Sequence, residues 1–319
     1  MKKKLLFVFN PKSGKGLIKS RLLDIVDLFV KNEYEVVTHP TQCTDDAYHL
    51  VKHTAHNYDL IVCSGGDGTL DEVVSGIMKS GSDVPLGYIP SGSTNDFATS
   101  LSINKNMLKA AQEIMEGKVY HCDVGQFNDR IFVYIAAFGL FTDVSYLTDQ
   151  TLKNMLGHMA YLLEGVKRII DIKSFHMKIE ANGTTYDNDY MYGMITNSRS
   201  VGGFQHITGK NVEMDDGLFE VTLIRKPTNP IELQKIMTAL LSGEDNTELV
   251  DSFKTDKIVI VSDEKIPWTL DGDFGGEHQE ISIENKKQAL KILLDPRKHE
   301  KTSKKKKVTG EPTVTVEIG

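Results

Sequence analysis

The stretch LIVCSGGDGTLD, residues 60–71, decides the fold. Its apolar start predicts a buried strand, and the glycines after it let the backbone turn sharply and approach a ligand closely. A helix is expected behind the glycines, and the free N–H groups at its start favour a phosphate. Asp67, the lone carboxylate among the glycines, is placed to handle a metal ion or to accept a proton. An ordinary strand-to-helix connection is the alternative, since glycine and aspartate are common in turns.

The same order of strand, loop and helix extends to both sides of this stretch. The apolar run 5–9 reads as a buried parallel strand and leads into the loop NPKSGKG at 10–16. Alternation at this spacing indicates an open α/β sheet with ligand-binding loops at the carboxyl ends of its strands. The other predicted strands are 34–38, 59–63 and 86–89, and the predicted helices are 17–30, 45–53, 71–79 and 107–116.

The pattern changes after about residue 120, where strands dominate and predict a mostly antiparallel, sandwich-like half. Helical stretches intervene at 152–170 and 230–241, and a closing strand at 289–294 can return to either half. The lysine-rich segment 298–319 is expected to be a disordered tail. The predicted strands are 120–127, 130–137, 175–181, 185–196, 218–224, 257–261, 266–270 and 280–283.

Composition narrows the function classes. The chain has 319 residues, 40% of them hydrophobic, which suits one large or two ordinary globular domains. The net charge of −7 argues against nucleic acid as the main partner. Three dispersed cysteines predict no zinc cluster, and the apolar run 5–9 is too short for a signal peptide, so a reduced cytoplasmic compartment is expected. No apolar run reaches the ~18 residues that span a bilayer, so any membrane contact would be peripheral.

Four segments then match one pattern in order: NPKSGKG at 10–16, GGDGTLD at 65–71, SGSTNDFA at 91–98 and LDGD at 270–273. Together they resemble the diacylglycerol kinase catalytic-domain family, above all its soluble bacterial lipid kinases, over about residues 3–297. The resemblance implies an α/β nucleotide-binding domain like those of NAD kinases and phosphofructokinases, a β-sandwich-like second domain and a cleft between them. We therefore expect a nucleotide-binding domain at 1–124, a lipid-substrate domain at 125–297 and a tail at 298–319.

The reaction implied by the resemblance is transfer of the ATP γ-phosphoryl group to the hydroxyl of a lipid, typically diacylglycerol, giving phosphatidic acid. The Walker pattern GxxxxGK[ST] is absent. Lys12 and Lys15 add positive charge near the expected phosphates, with solvated loop charge as the alternative. The residues implied to contact ATP are Asn10, Pro11, Lys12, Ser13, Gly14, Lys15, Thr41, Gly65, Gly66, Asp67, Gly68, Thr69, Leu70, Asp71 and Thr94.

Phosphoryl transfer needs a nucleophile in line, charge neutralisation and a proton acceptor. The resemblance makes Asp273 the general base, beside Asp67 as the second catalytic carboxylate. The family typically has Asp-Gly-Glu here, so the base in this chain is one methylene shorter. A plain hairpin turn at Asp271-Gly272 is the alternative.

Two magnesium sites are implied as well. Asp67, Asp96 and Asp123 would share a catalytic Mg²⁺ through waters, as a hard cation with octahedral geometry prefers. Glu213, Asp216 and Leu218 would hold a structural Mg²⁺ through carboxylate and backbone oxygens. An acidic turn without an ion is the alternative for residues 213–218.

The lipid contacts are inferred only indirectly, and ordinary core packing is the alternative for each residue. The lysines at 2–4 and 304–307 could meet an anionic membrane surface at the inner face. A homodimer is a further expectation. The candidate lining residues are Phe138, Leu140, Phe141, Met155, Met159, Tyr161 and Leu162.

Other functions remain open at this point. An NAD-kinase-like small-molecule kinase shares GGDG but lacks SGSTNDFA and NPKSGKG, and phosphofructokinase matches less well. A non-catalytic nucleotide-binding regulator is the alternative from another class, although Asp67 and Asp273 count against it. Within the lipid class, sphingoid bases, phosphatidylglycerol and lipid-linked polyols are alternative acceptors.

Overall fold

The computed structural model describes residues 2–139, 173–201, 204–205, 212–242 and 248–297. Its first part alternates strands with helices, as the apolar runs and the helical periodicity predict. The elements are β1 (Lys3–Phe9), α1 (Ile18–Lys31), β2 (Tyr34–Pro40), α2 (Asp46–Thr54), a 3-10 turn (Ala55–Asn57), β3 (Leu60–Gly65), α3 (Asp67–Ser80), β4 (Leu86–Pro90), α4 (Asp96–Ser100) and α5 (Met107–Glu116).

The strands of this part form a parallel sheet in the order β2-β1-β3-β4. β1 and β3 are buried on both faces, which explains their continuous apolar runs. Since all four strands run in one direction, their carboxyl ends lie at one edge. The loops after β1, β3 and β4 therefore meet there.

The second part is rich in strands, and the fold class predicted from the sequence is confirmed. The long strand β9 pairs with three neighbours, with β8 along its first half and with β7 and β12 along its second. The elements are β5 (Lys118–Phe127), β6 (Arg130–Phe132), β7 (Ile135–Gly139), β8 (Phe175–Ala181), β9 (Thr184–Thr196), β10 (Ser200–Val201), β11 (Phe204–Gln205), β12 (Phe219–Arg225), α6 (Pro230–Ser242), β13 (Val250–Thr255), β14 (Lys257–Leu270) and β15 (Asp273–Leu294).

β15 joins the two parts of the chain. It pairs antiparallel with β14 and β5, and near its end Ile292 pairs in parallel with Leu86 of β4. The short strands predicted at 280–283 and 289–294 are thus one strand with an irregularity between Lys286 and Leu290. The closing strand returns to the first sheet, so the carboxyl edge of the parallel strands and the β-rich half belong to one hydrogen-bonded framework.

Several predicted elements differ from the structure. The helix expected at 71–79 begins at Asp67, directly after the glycines. The strand expected at 130–137 is broken after Phe132, because the next three backbone N–H groups donate to a side chain instead of a neighbouring strand. β13 was missed, and the predicted helix 152–170 and tail 298–319 lie outside the described residues. None of the helices described is both long and apolar enough to cross a bilayer.

Candidate active site

Three glycine-containing loops meet at the carboxyl edge of the parallel sheet. A Cβ atom on Gly14 would collide with the carbonyl oxygen of Ser91, and one on Gly92 would lie 2.6 Å from the Cα of Gly66. The loops therefore touch backbone to backbone, at a separation that side chains would prevent. This packing explains the glycine at position 14 of the first motif and at position 92 of the third.

Backbone hydrogen bonds hold the three loops together. The N–H of Ser91 donates to the carbonyl of Gly65 (2.8 Å), and that of Asn10 donates to the carbonyl of Ser64 (2.9 Å). The buried hydroxyl of Tyr88 lies 3.2 Å from the Gly65 carbonyl and 3.3 Å from Asn95 Oδ1. Tyr88 and Asn95 thus brace the site, a role that the sequence analysis did not find.

The loop after β1 is shaped by Asn10. Its side-chain oxygen accepts from the N–H of Lys12 (2.9 Å), and its carbonyl accepts from the N–H of Ser13 (3.2 Å). Lys12 and Lys15 are exposed. Thr41 lies beside this loop because its N–H donates to the carbonyl of Phe9 (2.9 Å). The residues predicted around the first and second glycine loops are therefore brought together.

We expect Gly14→Ala to raise the KM for ATP at least about tenfold. Gly14 has φ +56°, where an L side chain is strained by about 1–2 kcal/mol, and its Cβ would push the Ser91 loop away. Gly16→Ala is the matched control, since Gly16 has φ +66° but its Cβ would lie 3.5 Å from the nearest atom, the Pro11 carbonyl oxygen. Steady-state kinetics on both variants checks this, and equal KM values in both would contradict the close packing of loops.

Asp67 is the first residue of α3. Its Oδ2 accepts from the N–H of Asp96 (3.1 Å), while its Oδ1 is buried without a hydrogen-bond partner. Burial, together with the nearby Asp96 and Asp271 carboxylates, raises the pKa of Asp67 to about 7. A buried carboxylate oxygen lacking a donor suits a cation or a water held by one. Asp67 therefore fits the metal-handling role that the sequence suggested.

Asp273 approaches the same glycine loop from the other half of the chain. It begins β15 after a two-residue turn in which Asp271 (φ +51°) and Gly272 (φ +94°) both have left-handed backbones. A Cβ atom placed on Gly68 would lie 3.6 Å from Asp273 Oδ2. Burial raises the pKa of Asp273, and the charge of Arg130 opposes that rise. A hairpin turn is therefore present at Asp271-Gly272, as the alternative interpretation predicted. The same turn brings the candidate base close to the glycine loop after β3.

The Asp271 side chain fixes this turn. Its Oδ1 accepts from the N–H groups of Tyr134 and Ile135, both at 2.9 Å, and its Oδ2 accepts from that of Val133. The Tyr134 hydroxyl also donates to the Asp271 carbonyl (3.1 Å). The turn is thereby tied to the segment between β6 and β7.

Asp71, in α3, lies beside the turn between β14 and β15. Its carboxyl group is hydrogen-bonded to that of Asp271, and its Oδ1 is buried with no other partner. Burial and the Asp271 and Asp273 carboxylates raise the pKa of Asp71 well above the ordinary value. The ATP contact that the resemblance implied for Asp71 stays a prediction, and its side chain lies beside the turn that carries Asp273.

The three carboxylates expected to share a catalytic Mg²⁺ through waters have different hydrogen-bond partners. Asp96 lies beside Asp67, and its Oδ1 accepts from the hydroxyl of Ser200 (2.6 Å). Asp123 instead accepts from the N–H of Gly217 (2.6 Å) and that of Gln288 (2.7 Å). Across the described ranges, no three or more His, Cys, Asp or Glu side chains form a group suited to a metal ion. Asp123 thus anchors the loop before β12, because both its oxygens are occupied there.

We expect Asp123→Ala to destabilise the protein by about 2–4 kcal/mol, since the buried N–H of Gly217 and the partly buried N–H of Gln288 lose their acceptor. Its kcat should stay near that of the wild type at temperatures where the variant is folded. Urea unfolding and kinetics measure the two effects. A large loss of kcat with unchanged stability would contradict this structural role and support the predicted metal role of Asp123.

In the segment 213–218, the contacts of Asp216 are with a backbone N–H group and a lysine. Asp216 Oδ1 accepts from the N–H of Leu218 (2.9 Å), and its Oδ2 lies 3.4 Å from the Lys254 ammonium. Lys254 also pairs with the buried Glu220 at 2.9 Å. A positive charge therefore already stands beside Asp216. The structural Mg²⁺ implied for Glu213, Asp216 and Leu218 stays a prediction without support from these contacts.

Among the candidate lipid-lining residues, Phe138 is described and packs in the core. It is fully buried, with its ring centroid 4.8 Å from that of Trp268. The other candidates, 140, 141, 155, 159, 161 and 162, lie outside the described residues. Beside the candidate base, Phe274 is 52% exposed.

Comparison with known proteins agrees with this geometry. The diacylglycerol kinase catalytic domain matches residues 4–127, and the YegS C-terminal NAD kinase β-sandwich-like domain matches residues 135–294. A diacylglycerol kinase of Bacillus subtilis is 35% identical over 277 residues, which are 86% of this chain and 91% of that one. The chain belongs to the diacylglycerol kinase family. As a member of this family it is a kinase, a phosphotransferase.

Two further relatives are similar over the same extent. A diacylglycerol kinase of Staphylococcus aureus is 33% identical over 279 residues, covering 87% of this chain and 88% of that one. The crystal structure of a diacylglycerol kinase from Bacillus anthracis covers 93% of this chain and 98% of that one, with a TM-score of 0.72 and 23% identity. At that identity the solved structure supports the fold alone.

Proposed function

We propose that the chain transfers the γ-phosphoryl group of ATP to the hydroxyl of diacylglycerol or a related lipid. The observation that carries this proposal is the approach of the Asp273 carboxylate to Gly68, in the first turn of α3. A carboxylate from the β-rich half thereby faces a loop suited to phosphates. Such an arrangement can position a hydroxyl nucleophile against a bound triphosphate.

ATP would bind across the three glycine loops, in the residues named for it from the resemblance. The N–H groups at the start of α3 and the glycine backbones offer donors to phosphate oxygens. The exposed Lys12 and Lys15 can reach phosphates in a chain that is otherwise acidic. Asp71 is set apart from this group because its carboxyl group bonds to Asp271.

Asp67 is the residue that we propose holds Mg²⁺, through water, with Asp96 beside it. Its unpartnered buried Oδ1 fits such a role. The ion, when bound, would neutralise charge on the phosphoryl oxygens.

Asp273 would act as the general base that takes the proton of the lipid hydroxyl. Burial raises the pKa of its carboxylate, and a base whose pKa lies closer to neutrality accepts a proton more readily. The charge of Arg130 favours the ionised carboxylate, which an acceptor requires.

The lipid acceptor is proposed from the names of the relatives. The exposed Phe274 next to Asp273 gives an apolar contact where an acyl-bearing alcohol would approach. Lys2, Lys3 and Lys4 are exposed and could meet anionic headgroups, which suits a cytoplasmic enzyme working at the membrane face. We also propose a nucleotide domain at 1–124 and a lipid domain at 125–297. A homodimer is proposed as well.

Labelling a mixed lipid extract with γ-³²P ATP tests the proposal. The wild type should produce a labelled lipid in the presence of Mg²⁺, and thin-layer mobility should match phosphatidic acid. A labelled product that migrates with a phosphorylated sphingoid base would identify a sphingoid base, and not diacylglycerol, as the lipid acceptor. Label found only in inorganic phosphate or in a water-soluble product would contradict the lipid kinase assignment.

A further inference from the structure

Two buried carboxyl groups meet between α3 and the β14–β15 turn. The side chains of Asp71 and Asp271 are hydrogen-bonded to each other, although they lie 200 residues apart in the chain. Asp71 Oδ1 is shielded from solvent and has no other partner. Two ionised carboxylates cannot form this contact, because neither has a hydrogen to donate and their charges repel.

The donors around the pair decide which carboxyl group carries the proton. Asp271 accepts from the N–H groups of Val133, Tyr134 and Ile135, and such bonds favour the ionised form. No comparable set of donors surrounds Asp71 within the described part of the chain. The proton therefore resides on Asp71, and its O–H donates to the Asp271 carboxylate. Burial and the neighbouring carboxylates raise the pKa of Asp71 accordingly.

We propose that Asp71 is a positioning residue for phosphoryl transfer: the contact of its buried carboxyl group with Asp271 ties the turn that carries Asp273 to the first turns of α3. The chain of contacts runs from α3 through Asp71 to Asp271, and then along the backbone through Gly272 to the candidate base. The proposal rests on the proposed function. It adds that the contact between Asp71 and Asp271 sets the distance between the base and the glycine loop.

The pair also makes stability depend on pH. In the unfolded chain Asp71 titrates near the ordinary aspartate pKa of about 4, whereas the folded state holds the proton to higher pH. Folding thus takes up a proton, so the contribution of Asp71 to stability is complete below about pH 4 and is lost as pH rises toward its folded pKa. The groups that face Asp71 are the carboxylates of Asp271 and Asp273, the guanidinium of Arg130 and the phenol of Tyr134.

Two substitutions separate the hydrogen bond from the proton. Asp71→Asn keeps a donor toward Asp271 without any titration, and Asp71→Ala removes the donor. Asp24→Asn, on the exposed face of α1, is the control for loss of one carboxylate. The full-length variants are compared by thermal melts between about pH 5 and about pH 9, by amide hydrogen exchange of residues 133–135, and by kinetics with ATP and diacylglycerol.

For Asp71→Asn we expect the melting temperature, relative to that of the wild type, to increase steadily as pH rises. Amide protection at residues 133–135 should be kept, and kcat should stay within about threefold of the wild-type value. For Asp71→Ala we expect faster exchange at residues 133–135 and a kcat lower by about tenfold or more, with the KM for ATP within about twofold. Asp24→Asn should follow the wild type throughout. The proposal is overturned if Asp71→Asn melts with the pH dependence of the wild type, or if asparagine and alanine reduce kcat equally.

The melts and the exchange data do not require activity. If the wild type phosphorylates no lipid, the proposed function fails, and these two measurements still decide whether the protonated Asp71 holds the turn. If the wild type is active but asparagine fails to rescue, the positioning role fails and the proposed function stands.

Discussion

Asp67→Asn is expected to lower kcat by about a thousandfold while the protein remains folded. The substitution removes the one negative charge at the start of α3 whose Oδ1 is buried and unpartnered, and with it the proposed support for the metal and the phosphates. The amide can still accept from the N–H of Asp96, so the local contact survives. Phosphorylation kinetics and far-ultraviolet circular dichroism measure the two effects.

The same variant should change the pH dependence of stability. Since burial raises the pKa of Asp67 to about 7, the wild type loses the corresponding stability as pH rises from about 4 through 7. Asparagine does not titrate, so the variant should melt higher than the wild type at about pH 8. Asp129→Asn in the exposed β5–β6 turn is the matched control. An Asp67→Asn protein with wild-type kcat would remove Asp67 from the active site.

Asp273→Asn should lower kcat by about 10²–10⁴, the range typical for loss of a general base. The KM for ATP should change little, because Asp273 faces the acceptor side of the glycine loop. Asp273→Glu is the matched control: it keeps the carboxylate and restores the longer side chain that the family typically has. We expect it to retain activity within about tenfold of the wild type.

The pH profile distinguishes a base from a binding residue. The wild-type kcat should fall below the pKa of Asp273, which burial raises above the ordinary aspartate value, and this limb should be lost in Asp273→Asn. If glutamate and asparagine reduce kcat to the same extent, Asp273 acts by its shape and not by accepting a proton.

Much of the nucleotide side could be predicted from short stretches of sequence. The apolar runs at 5–9 and 60–63 identify strands buried on both faces, and each is followed within a few residues by the glycines that form the loop. The site there depends on contacts between neighbouring parallel strands, whose carboxyl ends must share an edge. Local pattern and sheet geometry were sufficient for this part.

The acceptor side could not be predicted in the same way. The break after Phe132 results from three N–H groups that donate to Asp271, about 138 residues later in the chain. The resemblance implied a metal role for Asp123, but no local pattern indicates its hydrogen-bond partners Gly217 and Gln288, which are 94 and 165 residues away. The Asp71–Asp271 pair spans a similar separation. No local pattern in the sequence encodes which long-range partner a carboxylate finds.

The choice of acceptor by the purified wild type tests the central claim most directly. The protein is given diacylglycerol in mixed micelles and NAD at the same time, together with γ-³²P ATP and Mg²⁺, and the labelled product is identified. The account predicts label in phosphatidic acid, with none in the nucleotide fraction beyond the ATP itself. Label in NADP, or release of inorganic phosphate alone, would contradict it.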